Sequence, residues 1–235
     1  AQPRTVVEHA GPFDHLVFFG RLETRKGLHV FCDALVAEPA LRARVPRVTF
    51  LGKPSSVDGL SSEEFIAAAM NRVPGIEWRV ESGLGSFEAL AWLASHERVL
   101  VVTPSLVDNL PYTMIELHSR RIPFVATDIG GVPEIVGGRN RHLLASPTAE
   151  DLGRLLARVT TAGRLTVDYS TGYHVTEANA AHVRFVTDLL AEPAPVHRVG
   201  APAQPFAVVV AGASEEDLPR VRQRFVDADP GAGPG

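Results

Sequence analysis

Short runs rich in β-branched and other apolar residues alternate with amphipathic stretches of helical period from about residue 14 to residue 160, and this alternation limits the fold more than any other feature. The candidate strands are His15–Phe19, Arg47–Leu51, Ile76–Val80, Val99–Thr103, Phe124–Thr127 and His142–Ala145. Between them lie candidate helices over Gly27–Ala37, Ser61–Val73, Ser86–Ser95, Pro111–Arg121 and Thr148–Thr160. A strand apolar on both faces needs a covering layer on each side, and a helix between successive strands supplies a crossover between parallel neighbours. The pattern predicts an α/β fold, a doubly wound parallel sheet. In such sheets ligands bind where the strands end, close to the point at which strand order reverses. The loops after each strand are therefore the places to search.

At 235 residues the chain has room for one sizeable α/β domain and a further fragment. Residues 1–12 read as a lead or interdomain segment, and residues 13–190 as the domain, closing on a helix over Tyr173–Leu190. Residues 191–204 are rich in Pro and Ala and have the character of a linker. Residues 205–235 read as a strand, a turn and a helix, a partial βα unit that either opens a further domain or adds to the preceding one. With 23 Lys+Arg against 27 Asp+Glu the net charge is −4, so a nucleic-acid partner is not expected. The lone Cys32 excludes an internal disulfide and a thiolate metal cage, which fits a cytoplasmic location. No apolar run approaches the ~20 residues of a membrane span.

Two loops carry the chemistry. Gly20-Arg21-Leu22-Glu23-Thr24-Arg25-Lys26-Gly27 follows the first strand, with Arg21 at the exit and Lys26 near the next helix. Two cations on so short a loop can close over one small anion, and a diphosphate is such an anion. The plain alternative is a solvated basic turn. The second loop, Thr103 to Glu116, follows Val99–Val102. Here Asp108 or Asn109 is expected to cap the next helix, with Pro111 in its first turn. That leaves the Tyr112 and Thr113 amides at the positive end of a helix, where phosphate docks. Glu116 lies one turn further in, where a carboxylate can accept two ribose hydroxyls. The plain alternative is a capped core helix with Glu116 on its surface. A third segment, Phe124 to Ile135, is a buried strand followed by a tight turn, and its Gly130-Gly131 pair serves backbone geometry.

Taken together, GRLETRKG, PSLVDNLPYTMIE and PFVATDIGGVPEIV resemble the donor domain of family 4 glycosyltransferases, formerly group 1, over about residues 13–190. The resemblance implies a Rossmann-like domain, the C-terminal half of the two-domain GT-B architecture. It implies retaining transfer from a nucleoside-diphosphate sugar. The family's paired Arg and Lys, which bind the donor diphosphate, match Arg21 and Lys26. Its E-x7-E acids match Asp108, beside the donor sugar, and Glu116, on the ribose. By the same resemblance Arg21, Lys26 and Asp108 are the catalytic residues. Gly20, Asn109, Leu110, Tyr112, Thr113 and Glu116 line the donor, with Ser82 and Leu84 from a base-contacting loop. No metal and no further cofactor are expected, since fixed cations and a helix end take that part. The implied partners are the nucleotide-sugar donor, a sugar, lipid or protein acceptor, and an acceptor domain missing ahead of residue 13; membrane association is left open.

The match has departures. Asp108 is one methylene shorter than the family's Glu, Pro111 removes an amide, and Leu117-His118-Ser119-Arg120-Arg121 replaces small residues ending in Gly. These motivate a second reading, a catalytically degenerate binding module within a multidomain protein. A third is a sugar-nucleotide epimerase or a phosphorylase on the same architecture. Gly83-x-Gly85 lacks the third glycine of a dinucleotide fingerprint, Gly52-Lys53 lacks the upstream glycine of a P-loop, and the nine histidines show no metal-binding spacing.

Overall fold

Along the chain, strands β1 (Val6–Ala10) and β2 (His15–Phe19) lead through helix α1 (Leu28–Ala37) and the short α2 (Pro39–Arg42) to β3 (Arg47–Leu51). A small hairpin, β4 (Ser56–Val57) and β5 (Leu60–Ser61), precedes α3 (Ser62–Met70), β6 (Glu77–Glu81), α4 (Ser86–Ser95) and β7 (Val99–Thr103). Then come α5 (Tyr112–Ser119), β8 (Phe124–Thr127), α6 (Val132–Val136), β9 (Leu144–Ala145), α7 (Ala149–Ala162), β10 (Arg164–Asp168) and α8 (Val175–Ala191). The computed structural model describes residues 5–170 and 175–191. They divide into two compact units between His174 and Val175, and α8 is the described part of the second. The linker and βα unit expected over 191–204 and 205–235 lie outside the described residues, apart from Ala191 at the end of α8.

Six strands form one parallel sheet in the order β6-β3-β2-β7-β8-β9. The expected doubly wound α/β fold is the one present. Both faces are covered because side chains alternate across each strand. On one face Phe18 of β2 and Phe50 of β3 meet Phe31 of α1, with ring centroids 5.8–6.4 Å apart. Helix α7 packs beside α1 on that side. On the other face His15 meets Trp92 of α4, and Thr103 Oγ1 donates to Met114 Sδ of α5 at 2.9 Å. β2 and β7, central in the sheet, are buried at all five positions. The edge strand β6 instead carries Glu77, Arg79 and Glu81 on alternate positions, the charges that discourage further pairing.

Helix boundaries follow local chemistry. Ser61 and Glu64 close a capping box on α3, and Thr148 accepts from the Asp151 amide at the start of α7. Gly163, in the left-handed region at φ 63°, ends α7. Two strands depart from the sequence reading. Val6–Ala10, which fell in the lead segment, and Arg164–Asp168 pair antiparallel as a separate two-stranded ribbon. The expected strand His142–Ala145 shrinks to Leu144–Ala145, because Gly138–Leu143 turns as a 3-10 helix, and the five-residue α6 fills the segment read as a turn.

Candidate functional site

The chain fills the sheet outward from β2 in one direction through β3 and β6, then in the other through β7, β8 and β9, so strand order reverses between β2 and β7. The loops leaving these two strands are the two the sequence singled out. They touch. The Leu106 amide donates to the Arg25 carbonyl at 2.9 Å, and Gly27 lies so close to the second loop that a Cβ there would sit 1.8 Å from the Pro104 oxygen. Gly27 also has φ 72°, and it caps the 3-10 turn Thr24–Lys26 before α1 begins.

This packing brings Lys26 to Asp108, and the two side chains form an ion pair, 16% and 11% exposed. Asp108 is itself fixed from behind. Its carbonyl accepts the Gly131 amide at 3.3 Å, and a Cβ on Gly130 would lie 2.0 Å from that carbonyl. The glycine pair thus has the backbone role expected of it. Thr127 Oγ1 donates to the Ser105 carbonyl at 2.5 Å, tying the end of β8 to the same loop.

The rim continues on the other side. The Leu22 amide donates to the Lys53 carbonyl at 3.0 Å, Gly20 to Leu51 at 3.1 Å, and Gly52 to Glu81 at 3.0 Å. Ser82 and Leu84 therefore belong to a loop joined to the first through the loop after β3, but they leave β6, two strands away from β2. Arg21 is 62% exposed at its side chain, and its Nε lies 3.5 Å from Glu23 Oε2. Glu23 also accepts from Arg25 Nη2 at 2.9 Å. The sequence motifs assign Glu23 no role; its spacing of two from each arginine is the signal for this pairing.

One expectation is corrected. Neither Asp108 nor Asn109 caps α5: the N-cap is Pro111 itself, without a side-chain hydrogen bond, and the helix begins at Tyr112. The Asp108 carboxylate is engaged by Lys26 instead. The first bonds to the Pro111 carbonyl come from the Met114 and Ile115 amides, at 3.0 and 3.4 Å. The Tyr112 and Thr113 amides precede them, among those a helix leaves without an internal acceptor. Around this helix start Val107, Leu110 and Tyr112 are 60%, 44% and 71% exposed. Glu116 is half-buried one turn in; burial raises its carboxyl above the usual range, against an opposing pull from Arg120. Cys32 offers no nucleophile, since burial in α1 pushes its thiol up to about 12. Among the described residues no helix is long and apolar enough to cross a membrane.

A family model described as Glycosyl transferases group 1 matches residues 14–162, the region that holds all of these loops. The chain is 27% identical over 143 residues to a protein of Bacillus subtilis (strain 168) assigned by name to teichuronic acid biosynthesis as glycosyltransferase TuaC. That match covers 60% of this chain and 32% of the relative, so the chain spans about a third of the curated protein's length. Among solved structures it is similar to Anabaena Alr3699/HepE in complex with UDP-glucose, at 19% identity and TM-score 0.47, covering 64% of this chain and 40% of that one. It is also similar to the C-terminal domain of a glycosyl transferase group 1 family protein (LpcC) from Francisella tularensis, at 17% identity and TM-score 0.46, covering 63% and 81%. With a family model matching well over half its residues, and both motif loops inside the match, this chain belongs to the glycosyl transferases group 1 family.

Proposed function

We propose that the chain binds the donor of a retaining glycosyl transfer, a nucleoside-diphosphate sugar, at the point where strand order reverses. The observation that carries the reading is the meeting of the β2 and β7 loops, which brings the Lys26 ammonium to the loop that opens α5. In this reading the diphosphate lies between Lys26, Arg21 and the Tyr112 and Thr113 amides. Asp108, Asn109 and Leu110 border the sugar, Glu116 takes the ribose hydroxyls, and Gly20 allows close approach of the backbone. Ser82 and Leu84 reach the base. The bond from the anomeric carbon to the phosphate oxygen breaks, a bond to the acceptor oxygen forms on the same face, and the acceptor's proton passes to the departing phosphate. Charge grows on that phosphate as the bond lengthens. Cations and amides already in place stabilise it more in the transition state than in the bound donor. A preceding domain supplies most of the acceptor site, and the acceptor is a sugar, lipid or protein.

The test is calorimetric titration with UDP, GDP and ADP. Lys26→Ala should weaken binding of the preferred nucleotide at least about tenfold, the effect of removing one charge-assisted hydrogen bond. If none of the three binds, the reading of the chain as a degenerate interaction module takes its place.

A further inference from the structure

Both cations assigned to the diphosphate are already held by carboxylates of the chain itself. Lys26 is paired with Asp108, Arg21 with Glu23, and the Lys26–Asp108 pair is the better sheltered of the two. Asp108 has little freedom to withdraw, since its backbone is clamped by the Gly131 amide and by the close approach of Gly130. Its side chain, with two rotatable bonds, is the part that can turn.

We infer, on the donor-site reading above, that Asp108 is an internal counter-anion for Lys26 and that it discriminates the sugar-bearing nucleotide from the sugar-free one. A diphosphate reaching Lys26 must share or displace this carboxylate. A nucleoside diphosphate arrives with a free terminal phosphate, whose second ionisation near pH 6 adds charge beside the displaced Asp108. A nucleotide sugar has that phosphate esterified, so it brings less charge, and its hydroxyls can donate to the carboxylate as it turns from Lys26. The same side chain therefore tolerates the donor and repels the nucleotide left after transfer. Asp108 acts as a positioning and selectivity residue, and the Asp at this position, shorter than Glu, keeps the carboxylate back at the ammonium.

The experiment compares the chain with Asp108→Asn and Asp108→Ala by calorimetry, using UDP with UDP-glucose, GDP with GDP-mannose, and ADP with ADP-glucose. Thermal melts identify which variants are folded, and either one suffices. The expected result is that affinity for the free diphosphate rises about tenfold, the size of one partly screened like-charge repulsion. Affinity for the matching nucleotide sugar stays level or falls, so the preference for the sugar-bearing form shrinks. If a wild-type chain binds nucleotide in a Lys26-dependent way, yet folded Asp108 variants bind the free diphosphate no more tightly, the counter-anion inference is overturned and the donor site stands. If neither the wild type nor the Asp108 variants bind any of the six compounds, the donor site and the inference fall together.

Discussion

Two buried titrating residues give the chain distinct acid sensitivities. His15 of β2 is 5% exposed and shares a 2.8 Å hydrogen bond with Thr49 Oγ1, which also accepts from Arg79 Nε at 3.3 Å. Burial lowers its pKa to about 4, helped by Arg47, Arg79 and His96 and opposed by Asp14. The folded pKa lies below the unfolded value, so the unfolded chain binds the extra proton between roughly pH 6.5 and 4, and stability declines as pH drops through that window. Replacing His15 with Gln should flatten this part of a stability-against-pH curve measured by urea unfolding. Asp168 acts lower. Burial pushes its carboxyl up, but hydrogen bonds from the Ser170 hydroxyl and amide and from Arg139 outweigh that and bring it to about 2. Its contribution is complete above the unfolded value near pH 4 and is lost as pH falls toward 2. Asp168→Asn should therefore be less stable than wild type at pH 6, by about 1–3 kcal/mol. Unfolding midpoints at pH 6 and pH 2 should show that gap closing in acid.

At the scale of elements, the site depends on backbone contacts that only glycine permits. Gly27→Ala would drive a methyl into the Pro104 carbonyl at a left-handed φ, so it should destabilise the chain by several kcal/mol. Gly138→Ala meets nothing within 4 Å and should stay within about 0.5 kcal/mol of wild type in the same denaturant titration. The inner parallel strands β2, β7 and β8 were legible because burial on both faces writes a nearly continuous apolar run. The ribbon was not, because β1 alternates exposed and half-buried positions, β10 sets Arg164 and Thr166 outward, and partners such as Val6 and Asp168 lie far apart in sequence. Helix α6, five residues beginning Val-Pro, is too short for a helical period to register. The two site loops were legible from cations and capping-type residues placed directly after strands. That Asp108 turns to Lys26 rather than to the amides of α5 depends on a contact 82 residues apart, which no local pattern encodes.

For the molecule as a whole, the sheet and α1 are joined through Phe18, Phe31 and Phe50, all fully buried and in mutual ring contact. Phe50→Ala should cost about 3–5 kcal/mol in chemical denaturation, because the cavity would open between sheet and helix where neither can collapse freely. The β1–β10 ribbon is a different matter. It is docked through Tyr169, whose Oη lies 2.8 Å from His9 Nε2 and donates to the Ile122 carbonyl at 3.2 Å, and whose ring meets His118 of α5 edge-on at 5.2 Å. Two strands with one exposed face can unzip while the six-stranded sheet stays shut. Amide hydrogens of Val6–Ala10 should consequently swap for deuterium well before those of β2 and β7, so a tug transmitted along the backbone from residue 5 peels the ribbon first and spares the rim where Lys26 waits.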